Sequence, residues 1–379
     1  MSTALWGSLL PRLVARGMLD GDAALTGRVT VEPRTRSHHV AVIRQDARAV
    51  CVAKHHRDSP DPGDPGDTEE ALYRWLAQQP ACTTATARPG SDAPLAPTLL
   101  GVMGDTLLLE ARDHDLPLHL ALRATAWQPD ALLAALGRLL GRLHASDPPS
   151  HDLGVTSQGP PWVLAVADGA LPASLSGDER IARLAAEVAG DPDLAGCLHA
   201  LAARWPGNGR GETNGSLPRQ GGGGRRDGDD DATTGSAVLV HGDVKFDNVL
   251  VEGVHGPTDP AATPRLRLLD WELAGPGLAA WDLAGIVDGL LVPALQVLPT
   301  AQALAEGDHA APALHAHLAV PGAPPVSGEL LRIATVARLV QSAFQLLAMR
   351  HQEPGREAAV APVLAGARAL AGQHVAAGI

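Results

Sequence analysis

The stretch that most constrains this chain is residues 241–251, H-G-D-V-K-F-D-N-V-L-V. An apolar run, residues 237–240, leads into it, and a second, residues 249–251, leads out. That pattern predicts polar residues on a tight loop between two short buried strands. Five positions separate Asp243 from Asn248. Further on, Leu268, Leu269, Asp270, Trp271 and Glu272 read as another apolar strand ending on a carboxylate.

Residues of these types suit phosphoryl transfer, which needs a group to orient or deprotonate the attacking hydroxyl, oxygen ligands for magnesium, and cations on the phosphates. Asp243 is placed to accept the hydroxyl proton. Asn248 and Asp270 offer the hard oxygen ligands that Mg2+ prefers. Lys245, two residues after Asp243, is expected to reach the transferred phosphate. A lone Asn or a lone H-x-D on a loop would mean little; here the loop, its flanking strands and the downstream carboxylate agree.

Lysine usage gives a second line of argument. Of 30 Lys and Arg residues only two are lysine, Lys54 and Lys245. Arg and Lys differ in shape, hydration and hydrogen-bond geometry, so two lysines in an arginine-biased chain mark places that need a compact charge. Lys245 lies inside the loop. Lys54 ends the apolar run A-V-C-V-A-K, residues 49–54, which reads as a strand with a V-A-x-K-type lysine. Asparagine is also scarce: besides Asn248, only Asn208 and Asn214 occur.

The order of parts in this loop is that of protein kinases, but Gly242 stands where those carry Arg. H-G-D followed by L-D-W-E, and then W-D-L-A at residues 281–284, resembles the aminoglycoside phosphotransferase and choline kinase superfamily. The resemblance implies an α+β, two-lobed protein-kinase-like fold with a small β-rich N-lobe, residues 1–110, and a larger helical C-lobe, residues 111–379. It implies ATP and Mg2+ as cofactors. Lys54 would pair with a glutamate on the next helix, for which Glu69 aligns best and Glu70 is the rival. Ser37, in the turn of residues 33–39, would contact phosphate in place of a Gly-rich loop, although an ordinary hairpin would read the same way. The backbone from Glu110 to Arg112 would hold adenine. Asp282 would brace the catalytic loop. His144, closing the amphipathic helix of residues 130–144, reads as structural.

Elsewhere the chain predicts a short N-terminal helix, strands between residues 27 and 44, and strands at residues 98–102 and 106–110. A Pro/Gly/Asp linker at residues 58–67 precedes a helix capped by Thr68. Residues 206–235 read as a disordered, low-complexity insert. Helices are expected at residues 328–351 and 357–377. The net charge of −12 argues against a nucleic-acid partner. Three cysteines without metal spacing, and no signal peptide or membrane span, point to a cytoplasmic protein.

The acceptor is the least constrained feature. The last ninety residues carry Glu306, Asp308, Glu329, Glu353 and Glu357, matched by as many arginines, which argues against a polycationic antibiotic. A small hydroxylated molecule and a Ser/Thr-containing peptide both fit. A lysine two residues after the base is typical of kinases acting on polypeptides, including those that modify precursor peptides in natural-product biosynthesis, where a Ser or Thr is phosphorylated before a lyase eliminates the phosphate. A nucleotide-binding pseudokinase is a third reading, opposed by the intact Lys54, Asp243, Asn248 and Asp270.

Overall fold

The computed structural model describes residues 2–33, 39–56, 65–79, 94–124, 127–147, 159–206, 237–253, 263–349 and 355–376. Ser37, Cys82, the linker up to residue 64 and all but the first residue of the 206–235 insert lie outside them. Packing groups the chain into two units: Met1–Leu143 with Pro149–Thr156 and Asp243–Ala274, and His144–Pro148 with Ser157–Gly242 and Gly275–Ile379. This grouping follows packing density and is a different division from the lobes expected at 1–110 and 111–379.

In the first unit, helices α1 (Ser2–Ala15) and α2 (Gly21–Leu25) precede strands β1 (Val29–Pro33), β2 (His39–Gln45) and β3 (Arg48–His55). Helix α3 (Pro65–Leu76) follows, then β4 (Leu99–Met103), β5 (Thr106–Glu110), β6 (Leu116–Pro117), α4 (Leu118–Ala121) and α5 (Pro129–His144). The first five strands form one antiparallel sheet in the order β1-β2-β3-β5-β4. Side chains alternate across it: Ala41, Ile43, Cys51 and Ala53 are buried with Trp6, Leu9 and Leu13 of α1. Lys54, one residue past Ala53, therefore faces the other side. Burial pushes the Cys51 thiol up to about 11.

The β2–β3 turn has Asp46 and Ala47 at φ of 51° and 64°, as a two-residue type I′ hairpin requires. Without Gly or Asn, this turn has no sequence signature. Arg28 bonds both Asp46 oxygens at 3.1 Å, and Arg44 donates to the Ala47 carbonyl at 3.2 Å. Helix α3 starts at Pro65 rather than at a Thr68 cap, because proline's fixed φ suits the first helical position. In α5, Leu132, Leu133, Leu136, Leu139, Leu140 and Leu143 are all buried, as their 3.6-residue spacing predicts.

The second unit contains α6 (Ala173–Ser176), α7 (Glu179–Gly190), α8 (Pro192–Arg204) and the strand β7 (Val238–Val240). The chain then returns to the first unit for β8 (Val249–Val251) and β9 (Leu266–Leu268), before β10 (Gly275–Gly277) pairs antiparallel with β7. Gly277 is required at that pairing: a Cβ there would sit 2.6 Å from Val240 Cγ2. Helices α9 (Ala279–Leu295), α10 (Thr300–Ala305), α11 (Ala311–Leu318), α12 (Gly328–Ala348) and α13 (Val360–Ala376) complete it. Helix α12 ends before the expected residue 351, capped at Met349, while residue 377 lies outside the described residues. Asp178 caps α7 and Asp191 caps α8, each accepting two backbone N–H groups, and Ser327 caps α12.

Among the described residues, α12 is the one helix long and apolar enough to cross a membrane, but most of it is buried inside the protein. It is a core helix: Val336, Val340, Phe344 and Leu347 pack with Trp281 and Ala284 of α9, Leu198 of α8 and Val363 of α13. Trp162 meets Phe344 edge-on with centroids 5.6 Å apart, and the Arg338 guanidinium lies 4.9 Å from the Trp281 ring.

Candidate functional site

Lys54 is the centre of a buried charge cluster in the first unit. Its Nζ lies 2.8 Å from Glu69 Oε2 and 3.8 Å from Glu272 Oε2, and it donates to Asp270 Oδ1 in a short hydrogen bond. Glu69 is fully buried and also takes His56 Nε2 at 3.1 Å. Glu70, one residue on, instead pairs with Arg74 across one helical turn. The choice between Glu69 and Glu70 is thus made by which face of α3 turns to Lys54 and Trp271.

Burial alone would lower the Lys54 pKa, but Glu69, Asp270 and Glu272 together hold it above the usual lysine range. Burial would raise Glu69, yet His56 and Lys54 hold its carboxyl down to about 2. Asp270 is raised, chiefly by burial, which with the lesser push of the Glu272 and Glu69 carboxylates overcomes the opposing pull of Lys54. Three carboxylates share one ammonium, so the cluster carries surplus negative charge. Asp270 has a φ of 66°. That left-handed backbone is sparse for a non-glycine, though tolerated by Asp. The next residue fixes it: the Trp271 N–H donates to Glu69 Oε1 at 3.1 Å.

The catalytic-loop residues lie in the same unit. Lys245 Nζ sits 2.9 Å from Asp243 Oδ1 and Oδ2. Its ammonium is docked on the Asp243 carboxylate. Asn248 Nδ2 donates to the Asp243 carbonyl at 3.0 Å and to Oδ2 at 3.1 Å. This network fixes the amide orientation and turns Asn248 Oδ1 away from Asp243. The Leu269 N–H donates to the Asn248 carbonyl at 2.8 Å. Asn248 and Asp270 are therefore brought together by adjacent strands, β8 and β9.

These groups fit magnesium. Among the described residues no three His, Cys, Asp or Glu side chains form a ready metal cage, and magnesium takes one or two protein ligands and completes its shell with phosphate and water. The surplus charge around Asp270 and the free lone pairs implied by the Asn248 orientation are what such a cation would use.

The connector after β5 runs from Glu110 to β6. The Glu110 N–H donates to the Thr98 carbonyl at 2.8 Å, inside the sheet. Among the described residues, the Ala111 N–H and C=O and the Arg112 N–H make no such bond. The side chains of Glu110 and Arg112 bond each other at 2.7 Å. Ser37 lies outside the described residues.

In the second unit, Asp282 of α9 accepts the N–H groups of His241 at 2.7 Å and Gly242 at 3.0 Å, and Trp281 Nε1 donates to the Gly242 carbonyl at 2.7 Å. Gly242 has a φ of 84°, which explains glycine immediately before Asp243. Asp282 Oδ2 also lies 3.1 Å from His144 Nε2, and His144 Nδ1 lies 2.9 Å from His317 Nε2. Burial would raise Asp282, but His144 and the His241 N–H hold its carboxyl below the usual range. His317, on α11, had no signal in the sequence: its helix carries no motif.

Burial and the neighbouring His144 push the His317 pKa down to about 4, against the pull of Asp282. An unfolded histidine takes its proton near pH ~6.5. Between those values the unfolded chain binds more protons, so stability is lost as pH falls from about 6.5 towards 4. We expect His317 to account for about 1–2 kcal/mol of lost stability between pH 7 and pH 5. Urea midpoints of wild type and His317→Gln at the two pH values test this. An equal pH dependence in both proteins would show that His317 is not the titrating group.

No curated protein sequence matches the chain. The model of the APH family, a phosphotransferase enzyme family, matches residues 34–316. Among solved structures, the fold is similar to macrolide 2'-phosphotransferase MphH from Brachybacterium faecium, at 21% identity over 94% of this chain and 97% of that one, with a TM-score of 0.51. It is similar to choline kinase LicA from Streptococcus pneumoniae, at 11% identity over 96% and 99%, TM-score 0.52. It is also similar to an ethanolamine kinase from Plasmodium vivax, at 9% identity over 94% and 85%, TM-score 0.50. At these identities the likeness carries the two-lobed, protein-kinase-like fold, with its small antiparallel sheet and helical C-lobe. With a family match that spans most of its length, the chain belongs to the APH phosphotransferase family and is a kinase with an alcohol group as acceptor.

Proposed function

We propose that the protein moves the γ-phosphate of ATP, with Mg2+, to a hydroxyl of a small molecule. The observation that carries this reading is one buried lysine, Lys54, bonded to both Glu69 and Asp270, in the unit that also holds Asp243, Lys245 and Asn248. In it, Lys54, oriented by Glu69, holds the ATP phosphates. Asn248 and Asp270 hold the magnesium ion, which when bound neutralises charge on the phosphates. Asp243 orients the acceptor hydroxyl and takes its proton as that oxygen bonds to the γ-phosphorus. The bond from phosphorus to the bridging oxygen breaks, and its electron pair leaves with ADP. Lys245 holds the Asp243 carboxylate in place.

Support for a small acceptor comes from the structural relatives, whose names are those of choline, ethanolamine and macrolide kinases. A strongly cationic acceptor is less well supported. Glu306 lies 3.6 Å from His309, Glu329 3.6 Å from Arg204, and Glu357 pairs with Arg180. Glu329 and Glu357 are thus already engaged by the protein's own arginines.

Transfer of labelled γ-phosphate from ATP and magnesium, offered to a panel of amino-alcohols, sugars and macrolides beside Ser/Thr-rich peptides, tests the reading. Label in a small molecule is expected. Label confined to peptide would overturn the small-molecule acceptor, and nucleotide binding without transfer to any member would favour a pseudokinase.

A further inference from the structure

The connector between β5 and β6 is bounded by Glu110 and Asp115, and both are held by the same cation. Arg267, in the middle of β9 opposite Leu250 of β8, is fully buried. Its Nη1 lies 3.2 Å from Glu110 Oε2, its Nε 3.3 Å from Glu252 Oε1, and its Nη2 makes a short contact with Asp115 Oδ2. Arg112, inside the connector, reaches Glu110 at 2.7 Å and Glu252 at 2.6 Å, and Arg265 reaches Glu252 at 3.5 Å. Three arginines thus meet three carboxylates.

Burying such a network is a poor way to gain stability, since apolar residues of similar volume usually do as well or better. What it does provide is fixed geometry. A guanidinium forks to several carboxylates in set directions, which an ammonium cannot do. Here the fork ties both ends of a short connector to the strand pair whose flanks carry Asn248 and Asp270.

We infer that Arg267 is a positioning residue for the nucleotide: through Glu110 and Asp115 it sets the connector so that the Ala111 and Arg112 backbone groups meet the adenine edge at the right distance from the phosphate site. The inference rests on the reading that this connector holds adenine. Backbone recognition of a base leaves no side chain to adjust, so the path of the connector must be imposed from outside, and Arg267 is the buried group that touches both of its ends.

The test uses the full-length protein and a ribose-labelled fluorescent ATP, with magnesium tripolyphosphate as a competitor that occupies the phosphate site but has no base. Asp115→Asn keeps shape and removes one arm of the fork; Arg267→Lys keeps charge and removes the fork. Both are expected to raise the dissociation constant of the ATP probe about tenfold, short of the roughly 10²-fold that a ~1 Å misplacement can cost in rate, while tripolyphosphate binding stays within about twofold. Equal losses for ATP and tripolyphosphate would mean general loosening and overturn the inference, as would unchanged ATP binding. Asp115→Asn decides the matter if Arg267→Lys does not fold. Wild-type protein that binds tripolyphosphate but gains nothing from the adenosine part would instead defeat the parent reading of the connector.

Discussion

Asp243→Asn is expected to lower phosphoryl transfer by about 10²–10⁴-fold, the usual contribution of a positioned general base, while leaving the affinity for ATP nearly unchanged. The substitution keeps size and shape. Asn248 Nδ2 still finds the residue 243 carbonyl, the 3.0 Å bond that orients the Asn248 amide. Lys245 loses the charge it is docked on at 2.9 Å, but it is partly exposed and can turn to water. The Lys54 contacts with Glu69, Asp270 and Glu272 are made without the Asp243 side chain. The loss should therefore fall on kcat, measured by labelled phosphate transfer, with nucleotide binding measured separately by fluorescence. Turnover within about threefold of wild type would remove Asp243 from the base role, because a base worth so little lies below the range such groups supply.

How far the sequence carried this site depends on what each residue's neighbours in the chain reveal. The catalytic loop was legible because polar residues interrupt apolar strands at a fixed spacing. Lys54 was legible because lysine is so rare here. Composition and cap signals do not separate the adjacent Glu69 and Glu70; the resemblance favoured Glu69, and the packing of α3 does send Glu69 to Lys54 and Glu70 to Arg74. Arg267 was invisible for a different reason. In R-L-R-L-L-D it reads as the solvent-facing half of an alternating strand, yet it is fully buried. Its partners Glu110, Asp115 and Glu252 come from distant segments, and no local pattern announces that three of them converge. His317 was missed likewise, its partner His144 lying 173 residues away in sequence; His56 was missed because nothing in the sequence pattern ties it to Glu69 on the following helix. The Asp46–Ala47 turn was missed because the tertiary bonds of Arg28 and Arg44 replace the usual Gly or Asn.

Lys54→Met is expected to cost both activity and stability, and pH should separate the two. The substitution leaves Glu69, Asp270 and Glu272 together without their ammonium. Removing one partner from a buried ion pair typically costs about 3–5 kcal/mol, reduced here because Glu69 keeps His56 and the Trp271 N–H. In wild type, Glu69 is held to about 2, below an unfolded glutamate, so its contribution to stability is present above pH ~4.3 and is lost as pH falls towards 2. Without Lys54 the three carboxylates repel one another and take up protons at higher pH, which relieves the strain. The stability gap between Lys54→Met and wild type should therefore narrow on going from pH 8 to pH 5, read from urea midpoints. Over the same range transfer should stay at least about 10²-fold down, because neutralising the carboxylates does not restore a cation to the phosphates. Lys54→Arg should recover part of the stability but little of the transfer, since a planar guanidinium cannot take the compact position between Glu69 and Asp270. A gap that stayed constant across that pH range would mean that the three carboxylates do not depend on Lys54 for their charge balance.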